Sequence, residues 1–86
     1  NKTKEVQVWP NPFQSVINGS ISSEINEVVQ IQLLASDGKM IVQKPLEVKK
    51  GINSFSLNNL NNLPSGAYLL KIQSNNGIQT IRLIKN

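Results

Sequence analysis

Histidine and cysteine are absent from the 86 residues of this chain, and acidic side chains are few, with one Asp and four Glu. Without an imidazole or a thiol, the commonest general base and the strongest nucleophile of enzymes are excluded. A zinc or copper site built from His and Cys ligands is excluded as well, and so is a disulfide framework. We therefore expect a protein that is not an enzyme and that binds no metal or cofactor.

The remaining polar side chains are better explained by a structural role than by a catalytic or metal-binding role. The serines have no histidine that would activate them as nucleophiles. Glu24 and Glu27 lie three residues apart at a strand entrance, where solvated charges are ordinary, so we do not interpret them as a carboxylate pair for glycoside cleavage. Asp37 stands alone beside Gly38, and a turn explains it better than a calcium site, which needs several converging oxygen ligands.

The size and charge are those of one small basic domain. The net charge is +4, but the basic residues are scattered, with Lys49 and Lys50 as the one adjacent pair, which favours a solvated surface over nucleic-acid binding. No apolar run is long enough to cross a membrane as a helix. The chain opens at Asn1 without Met or a signal-like segment, so we expect an excised domain or the mature remainder of a precursor.

Apolar and polar residues alternate with a period of two along most of the chain, which predicts an all-β fold. The clearest strand runs from Glu27 to Ala35 and turns Val29, Ile31, Leu33 and Ala35 inward. Other strands are expected around Val6 and Val8, from Val16 to Ile21, from Lys39 to about Lys44, around Phe55 and Leu57, from Gly66 through Tyr68, Leu70 and Ile72, and at the end, with Ile81 and Leu83 inward. Seven short strands predict an immunoglobulin-like β-sandwich with antiparallel Greek-key sheets, with a small barrel as the alternative.

Asp37-Gly38 predicts the first hairpin. This dipeptide supplies the positive φ angles of a type I′ turn, so the next strand is expected to carry Met40 and Val42 inward. Pro45 cannot donate to a ladder, so it weakens that strand or places it at an edge.

Three further segments interrupt the alternation. Lys49-Lys50-Gly51 predicts a charged turn, and Asn75-Asn76-Gly77 predicts a second hairpin. The segment from Asn58 to Leu63 predicts a loop or one turn of helix with Leu60 and Leu63 beneath it.

The four aromatic residues bear on both fold and function. Core or sheet-end packing explains Trp9, Phe13, Phe55 and Tyr68, whereas a carbohydrate-binding module would need Trp9 and other aromatics exposed together. Tyr68 follows a Pro and Gly corner just inside a strand, which is typical of the tyrosine corner of sandwich folds. Its hydroxyl is then expected to bond the backbone a few residues upstream.

Several motifs occur in a fixed order. The first is Val8-Trp9-Pro10-Asn11-Pro12-Phe13, the second is the hairpin sequence from Leu33 to Ile41 with the Lys50-Gly51-Ile52-Asn53 turn after it, the third runs from Leu63 to Ile72, and the last is the basic-aliphatic tail Thr80-Ile81-Arg82-Leu83-Ile84-Lys85. Together they resemble the C-terminal sorting domain of the type IX (Por) secretion system of Bacteroidota, over about residues 6 to 86. Departures are modest: Ser36 stands where the family usually has an acid, and Arg82 stands where Lys is commoner.

The resemblance implies a division of the chain and a route of export. Residues 1–5 would be the end of a linker from an upstream cargo domain, and residues 6–86 the sorting domain. The family's domain is an address for export through the periplasm and across the outer membrane to the cell surface or the medium. Its partners are the type IX translocon, an outer-membrane shuttle protein and a cell-surface sortase complex that commonly removes it. Cleavage would fall in the linker, and the domain would be the substrate of the peptidase.

The resemblance also implies which residues the secretion machinery recognises. They are Pro10, Asn11, Pro12, Phe13, Gly66, Tyr68, Lys71, Arg82, Leu83, Ile84 and Lys85. We expect the last hairpin to form a ribbon whose outward residues Lys71, Gln79, Arg82 and Lys85 present a docking surface. The alternatives are a fibronectin-III-like or other immunoglobulin-like accessory domain, or a carbohydrate-binding module, of a secreted protein.

Overall fold

Seven β-strands make up the regular secondary structure of the computed structural model, which describes residues 5–75 and 77–86. They are β1 (Glu5–Trp9), β2 (Ile17–Ser23), β3 (Glu27–Ala35), β4 (Met40–Val48), β5 (Gly51–Leu57), β6 (Gly66–Ser74) and β7 (Gly77–Lys85). Helices that could cross a bilayer are not found within these two stretches. The all-β prediction and the predicted number of strands are confirmed.

The strands form two antiparallel sheets. One has the order β1-β2-β5 and the other the order β4-β3-β6-β7. The chain passes between the sheets after β2, β4 and β5, as in Greek-key sandwiches. The immunoglobulin-like β-sandwich is therefore confirmed, and the small barrel is not what forms.

The core lies between the sheets and follows the alternation of the strands. Its fully or nearly buried apolar side chains are Phe13, Ile17, Ile21, Val29, Ile31, Leu33, Val48, Phe55, Leu57, Leu60, Tyr68, Leu70, Ile72 and Leu83. Gly19 also faces inward and pairs with Phe55, whose ring lies directly over it. The inward faces predicted for β3 and β7 are confirmed, and β2, β5 and β6 alternate between buried and more exposed residues in the same way.

The β3–β4 hairpin differs from the predicted type I′ turn. Gly38 has a φ of 91°, but Asp37 does not have a positive φ, and a type I′ turn needs two such residues. The Gly38 N–H donates to the Ala35 carbonyl at 2.9 Å, and the Ala35 N–H donates to the Lys39 carbonyl at 2.8 Å. Asp37 Oδ1 accepts the Lys39 N–H at 3.0 Å, so this residue serves the turn, as expected.

A β-bulge changes the face on which Met40 lies. Leu33 pairs with Val42, but Leu34 pairs with Met40, so Ile41 is an extra residue in β4. Ile41 and Val42 both pack against the core, whereas the Met40 side chain is 46% exposed. The prediction that Met40 points inward is therefore wrong, because the bulge shifts the alternation by one residue.

The remaining predictions about strand ends hold in part. β4 is an edge strand, as Pro45 indicates, but it continues to Val48. The segment 58–63 is a loop: Leu60 is buried, and its N–H donates to the Ser15 carbonyl at 2.9 Å. Ser74 pairs with Gly77 across the second hairpin, while Asn76 lies outside the described residues.

Candidate functional site

The Pro-Asn-Pro-Phe segment and the tail of the chain meet at one end of the sandwich. Phe13 forms an isolated parallel bridge with Lys85. The Phe13 N–H donates to the Ile84 carbonyl at 2.8 Å, and the Asn86 N–H donates to the Phe13 carbonyl at 3.0 Å. We call this contact the clasp, meaning residues 11–13 bound along the edge of residues 84–86. It joins two motifs that lie about seventy residues apart in the sequence.

Asn11 adds a side-chain bond to the clasp. Its Oδ1 accepts the N–H of Ile84 at 3.0 Å. The sequence explains why the clasp begins here: Pro10 and Pro12 have no N–H to donate, so the pairing of β1 with β2 stops at Trp9 and the chain leaves that sheet. Both X-Pro bonds, before Pro10 and before Pro12, are cis.

Phe13 connects the clasp to the tyrosine corner. The Phe13 ring is fully buried and packs edge-on against the Tyr68 ring, with centroids 5.9 Å apart and planes at 67°. The Tyr68 hydroxyl donates to the Pro64 carbonyl at 2.6 Å, which is the bond expected of a tyrosine corner. The third motif therefore meets the first and the last at the same end of the molecule.

The residues expected at the recognition surface divide by burial. The side chains inside the sandwich are those of Phe13, Tyr68, Leu83 and Lys85. Those that are exposed are Pro10, Asn11, Pro12, Gly66, Arg82 and Ile84, and Lys71 is half-buried in the middle of β6. The first group holds the fold, and the second group is available to a partner.

Lys85 does not point outward as the sequence analysis expected. Only 7% of this residue is exposed, and its Nζ donates to the Asn86 carbonyl at 3.2 Å. The reason is the period of two, which places Lys85 on the same face as Leu83 and Ile81. Gln79 has the same parity and is half-buried, so of the four expected outward residues Arg82 is exposed and Lys71 is half-buried.

Trp9 lies at the end of β1 and is the one aromatic residue that is not buried. Phe13, Phe55 and Tyr68 are in the core, but Trp9 is 47% exposed on the outer face of the three-stranded sheet, where it pairs with Asn18. With the other three aromatic residues buried, Trp9 has no aromatic neighbour with which to build a flat sugar-binding platform.

Apolar side chains surround Arg82 on the outer face of the four-stranded sheet, and the sequence analysis missed them. Met40, Leu34, Leu69 and Arg82 are successive partners across β4, β3, β6 and β7. A depression of about 170 Å³ lies beside Arg82 and is lined by Ser36, Ala67, Tyr68 and Leu69. The bulge in β4 turns Met40 outward and so completes the row of Met40, Leu34, Leu69 and Arg82 across the outer face. Nothing in the sequence indicates that bulge.

The two glutamates weighed as a carboxylate pair lie far from the clasp. Glu24 lies in the β2–β3 turn, and Glu27 begins β3, where its Oε1 accepts the Asn75 N–H at 3.5 Å. Within the described part of the chain, no group of three or more His, Cys, Asp or Glu is placed to bind a metal ion.

Fold and site together define a small immunoglobulin-like sandwich module in which the Pro-Asn-Pro-Phe segment, the tyrosine corner and the tail meet at one end. Residues 7–86 match the family described as the secretion system C-terminal sorting domain. The chain therefore belongs to this family, and the resemblance stated from the motifs is confirmed. The domain is a C-terminal sorting signal of the type IX, or Por, secretion system, and this family is not a class of enzymes.

Solved structures support the fold. A β-glucosidase from Erythrobacter marinus matches with a TM-score of 0.54 and 14% identity over 94% of this chain and 15% of that enzyme. A β-glucosidase from Listeria innocua, solved with glucose, matches with a TM-score of 0.50 and 13% identity over 98% of this chain and 16% of that enzyme. The chain thus spans about a sixth of these proteins, and the likeness concerns the fold alone. Curated protein sequences contain no match.

Proposed function

We propose that this domain carries a fused cargo protein through the type IX system across the outer membrane, for cleavage and either attachment to the cell surface or release. Family membership supports export as the role. The observation that carries the proposal is the clasp, because it fastens the tail motif to the Pro-Asn-Pro-Phe motif by three hydrogen bonds and makes one surface of them. A signal that is read after folding needs such a surface and needs no active site.

The exposed members of this end form the surface that we propose for recognition. They are Pro10, Asn11, Pro12, Gly66, Arg82 and Ile84. A depression of about 270 Å³ follows the clasp between the two prolines, Gln14, Ser15, Val16 and Asn86, so part of this surface is concave. The partners are the translocon, an outer-membrane shuttle protein and a cell-surface sortase complex, met during passage through the periplasm and at the surface of a Bacteroidota cell.

The position of the first strand fits a cargo attached on the far side. Glu5 pairs with Ser22, next to the β2–β3 turn, while Lys85 pairs with Gly66 at the clasp end. β1 runs from Glu5 to Trp9 and the clasp residues follow directly after it, so Glu5 lies at the end of β1 that is farther from the clasp. We infer that residues 1–5 are the end of a linker, residues 6–86 the sorting unit, and that cleavage in the linker takes place away from the recognised end.

Export of a reporter protein tests this function. The reporter carries a signal peptide and is fused to residues 1–86, and we expect it at the surface or in the medium of a Bacteroidota host that has the type IX system. Removal of residues 82–86 is expected to leave it in the periplasm, because the tail and the partner of the clasp are lost. The same fusion in a host strain without the translocon is the control. Normal surface delivery of the truncated fusion would contradict the proposal.

A further inference from the structure

The four sheet edges of the sandwich are not equally protected against pairing with another strand. β1 has five residues and ends before Pro10, and β4 contains Pro45 and the bulge. β5 is covered in part by Lys44, whose Nζ donates to the Ser56 carbonyl at 3.3 Å. Short strands, prolines, bulges and charges are the usual means of blocking an edge.

Of these protections, β7 has only the charge of Arg82, because its other basic residue, Lys85, is buried. Its nine residues contain no proline, and its pairing with β6 continues without a break from Gly77 to Lys85. The N–H and C=O of Ile84 both bond to the clasp and so face away from β6. Because this orientation repeats every second residue, Ile78, Thr80 and Arg82 present their N–H and C=O groups along the same open edge.

The clasp shows that this edge accepts a strand. Phe13 already pairs there in parallel, but its bonds cover only the edge of residues 84–86. On the part of the β7 edge that precedes residue 84, Thr80 and Arg82 are exposed, and Ile78 is 55% exposed. The open edge is therefore continuous with a pairing that the molecule makes itself.

We propose that the edge of β7 from Ile78 to Arg82 is a strand-addition site for an extended segment of the secretion machinery. The inference rests on the proposed function and specifies how the sorting domain is bound. Main-chain hydrogen bonds would give affinity, and the side chains on alternate positions would give selectivity.

The side chains beside the edge define the chemistry of that segment. Arg82 and, one strand further in, Lys71 are the charged residues on this half of the outer face, and the acidic Glu47 lies on β4 at the opposite edge. An added strand would therefore place an Asp or Glu next to Arg82. Next to Ile78 it would place an apolar side chain, which would cover that exposed isoleucine.

Variants on the edge test the proposal in the export assay with the complete fusion. Thr80→Pro removes one outward N–H without altering charge, and proline is tolerated where the N–H of an edge strand faces solvent. We expect export to fall by about tenfold, because one main-chain bond and close approach of the partner are lost. Export of the Arg82→Glu variant is expected to fall similarly, whereas the control Lys50→Glu, with the same charge change in the exposed β4–β5 turn, keeps export near that of the unmodified domain.

The outcomes separate this inference from the proposed function. If the unmodified fusion is not exported, the proposed function fails. If it is exported and a folded Thr80→Pro variant is exported equally well, strand addition is wrong, even when Arg82→Glu is blocked. If Thr80→Pro melts far below the unmodified domain, the comparison of Arg82→Glu with Lys50→Glu decides, and equal export by both overturns the inference. A dimer of the purified 86-residue chain that Thr80→Pro abolishes would also overturn it, because the edge would then bind a second copy.

Discussion

At the scale of single residues, Gly19 has the least room for a side chain among the described glycines. A Cβ placed there would lie 2.2 Å from Cζ of Phe55, so the ring must move or the strands must separate. Gly19→Ala is expected to lower the free energy of unfolding by about 1–3 kcal/mol, the usual cost of overpacking a core. Chemical denaturation of the variant and the unmodified domain measures this difference in the free energy of unfolding.

Two variants control for that effect. Ser20→Ala, on the outer face of the same strand, is expected to be nearly neutral. In a Phe55→Leu background the added methyl group has more space, so Gly19→Ala should cost less there than in the unmodified chain. Equal stability of Gly19→Ala and Ser20→Ala would contradict the packing described here.

At the scale of secondary-structure elements, the clasp holds the end of β7 with few bonds. Asn11→Ala removes the side-chain acceptor of the Ile84 N–H and leaves both main-chain bonds of Phe13 in place. We expect a loss of about 0.5–1.5 kcal/mol of stability and faster hydrogen exchange at the Ile84 amide, with the Asn86 amide little changed.

NMR-detected exchange checks this prediction residue by residue. Asn61→Ala removes the same amide group from an exposed position of the 58–63 loop and is the matched control. An Ile84 amide that exchanges at the same rate in the Asn11→Ala and Asn61→Ala variants would mean that Asn11 does not hold the tail.

Elements of the sandwich were predictable where alternation is regular. β3 forms over the residues predicted, Glu27–Ala35, and the tyrosine corner forms the expected bond to Pro64. The clasp was not predictable, because it depends on main-chain groups of residues far apart in sequence. The outward face of Met40 follows from a bulge that has no side-chain signature, whereas the inward face of Lys85 follows from its spacing to Leu83.

At the scale of the whole molecule, the end that we propose for recognition and the end that we propose for cargo attachment lie apart. The clasp, the tyrosine corner and Arg82 lie toward one end of the sandwich. The β2–β3 and β4–β5 turns lie at the other, where the Lys50 N–H donates to Asn26 Oδ1 at 2.8 Å. Arg82 and Lys50 are both exposed cations, so they offer a matched pair of charges toward opposite ends.

The most direct measurement is therefore the amount of reporter exported by Arg82→Gln and Lys50→Gln fusions in the same host. Each variant removes one exposed positive charge and leaves the core unchanged. Export is expected to fall by about tenfold for Arg82→Gln, because a charge-assisted contact with the machinery is lost, and to stay unchanged for Lys50→Gln. Equal export by the two variants, or a loss confined to Lys50→Gln, would contradict the account.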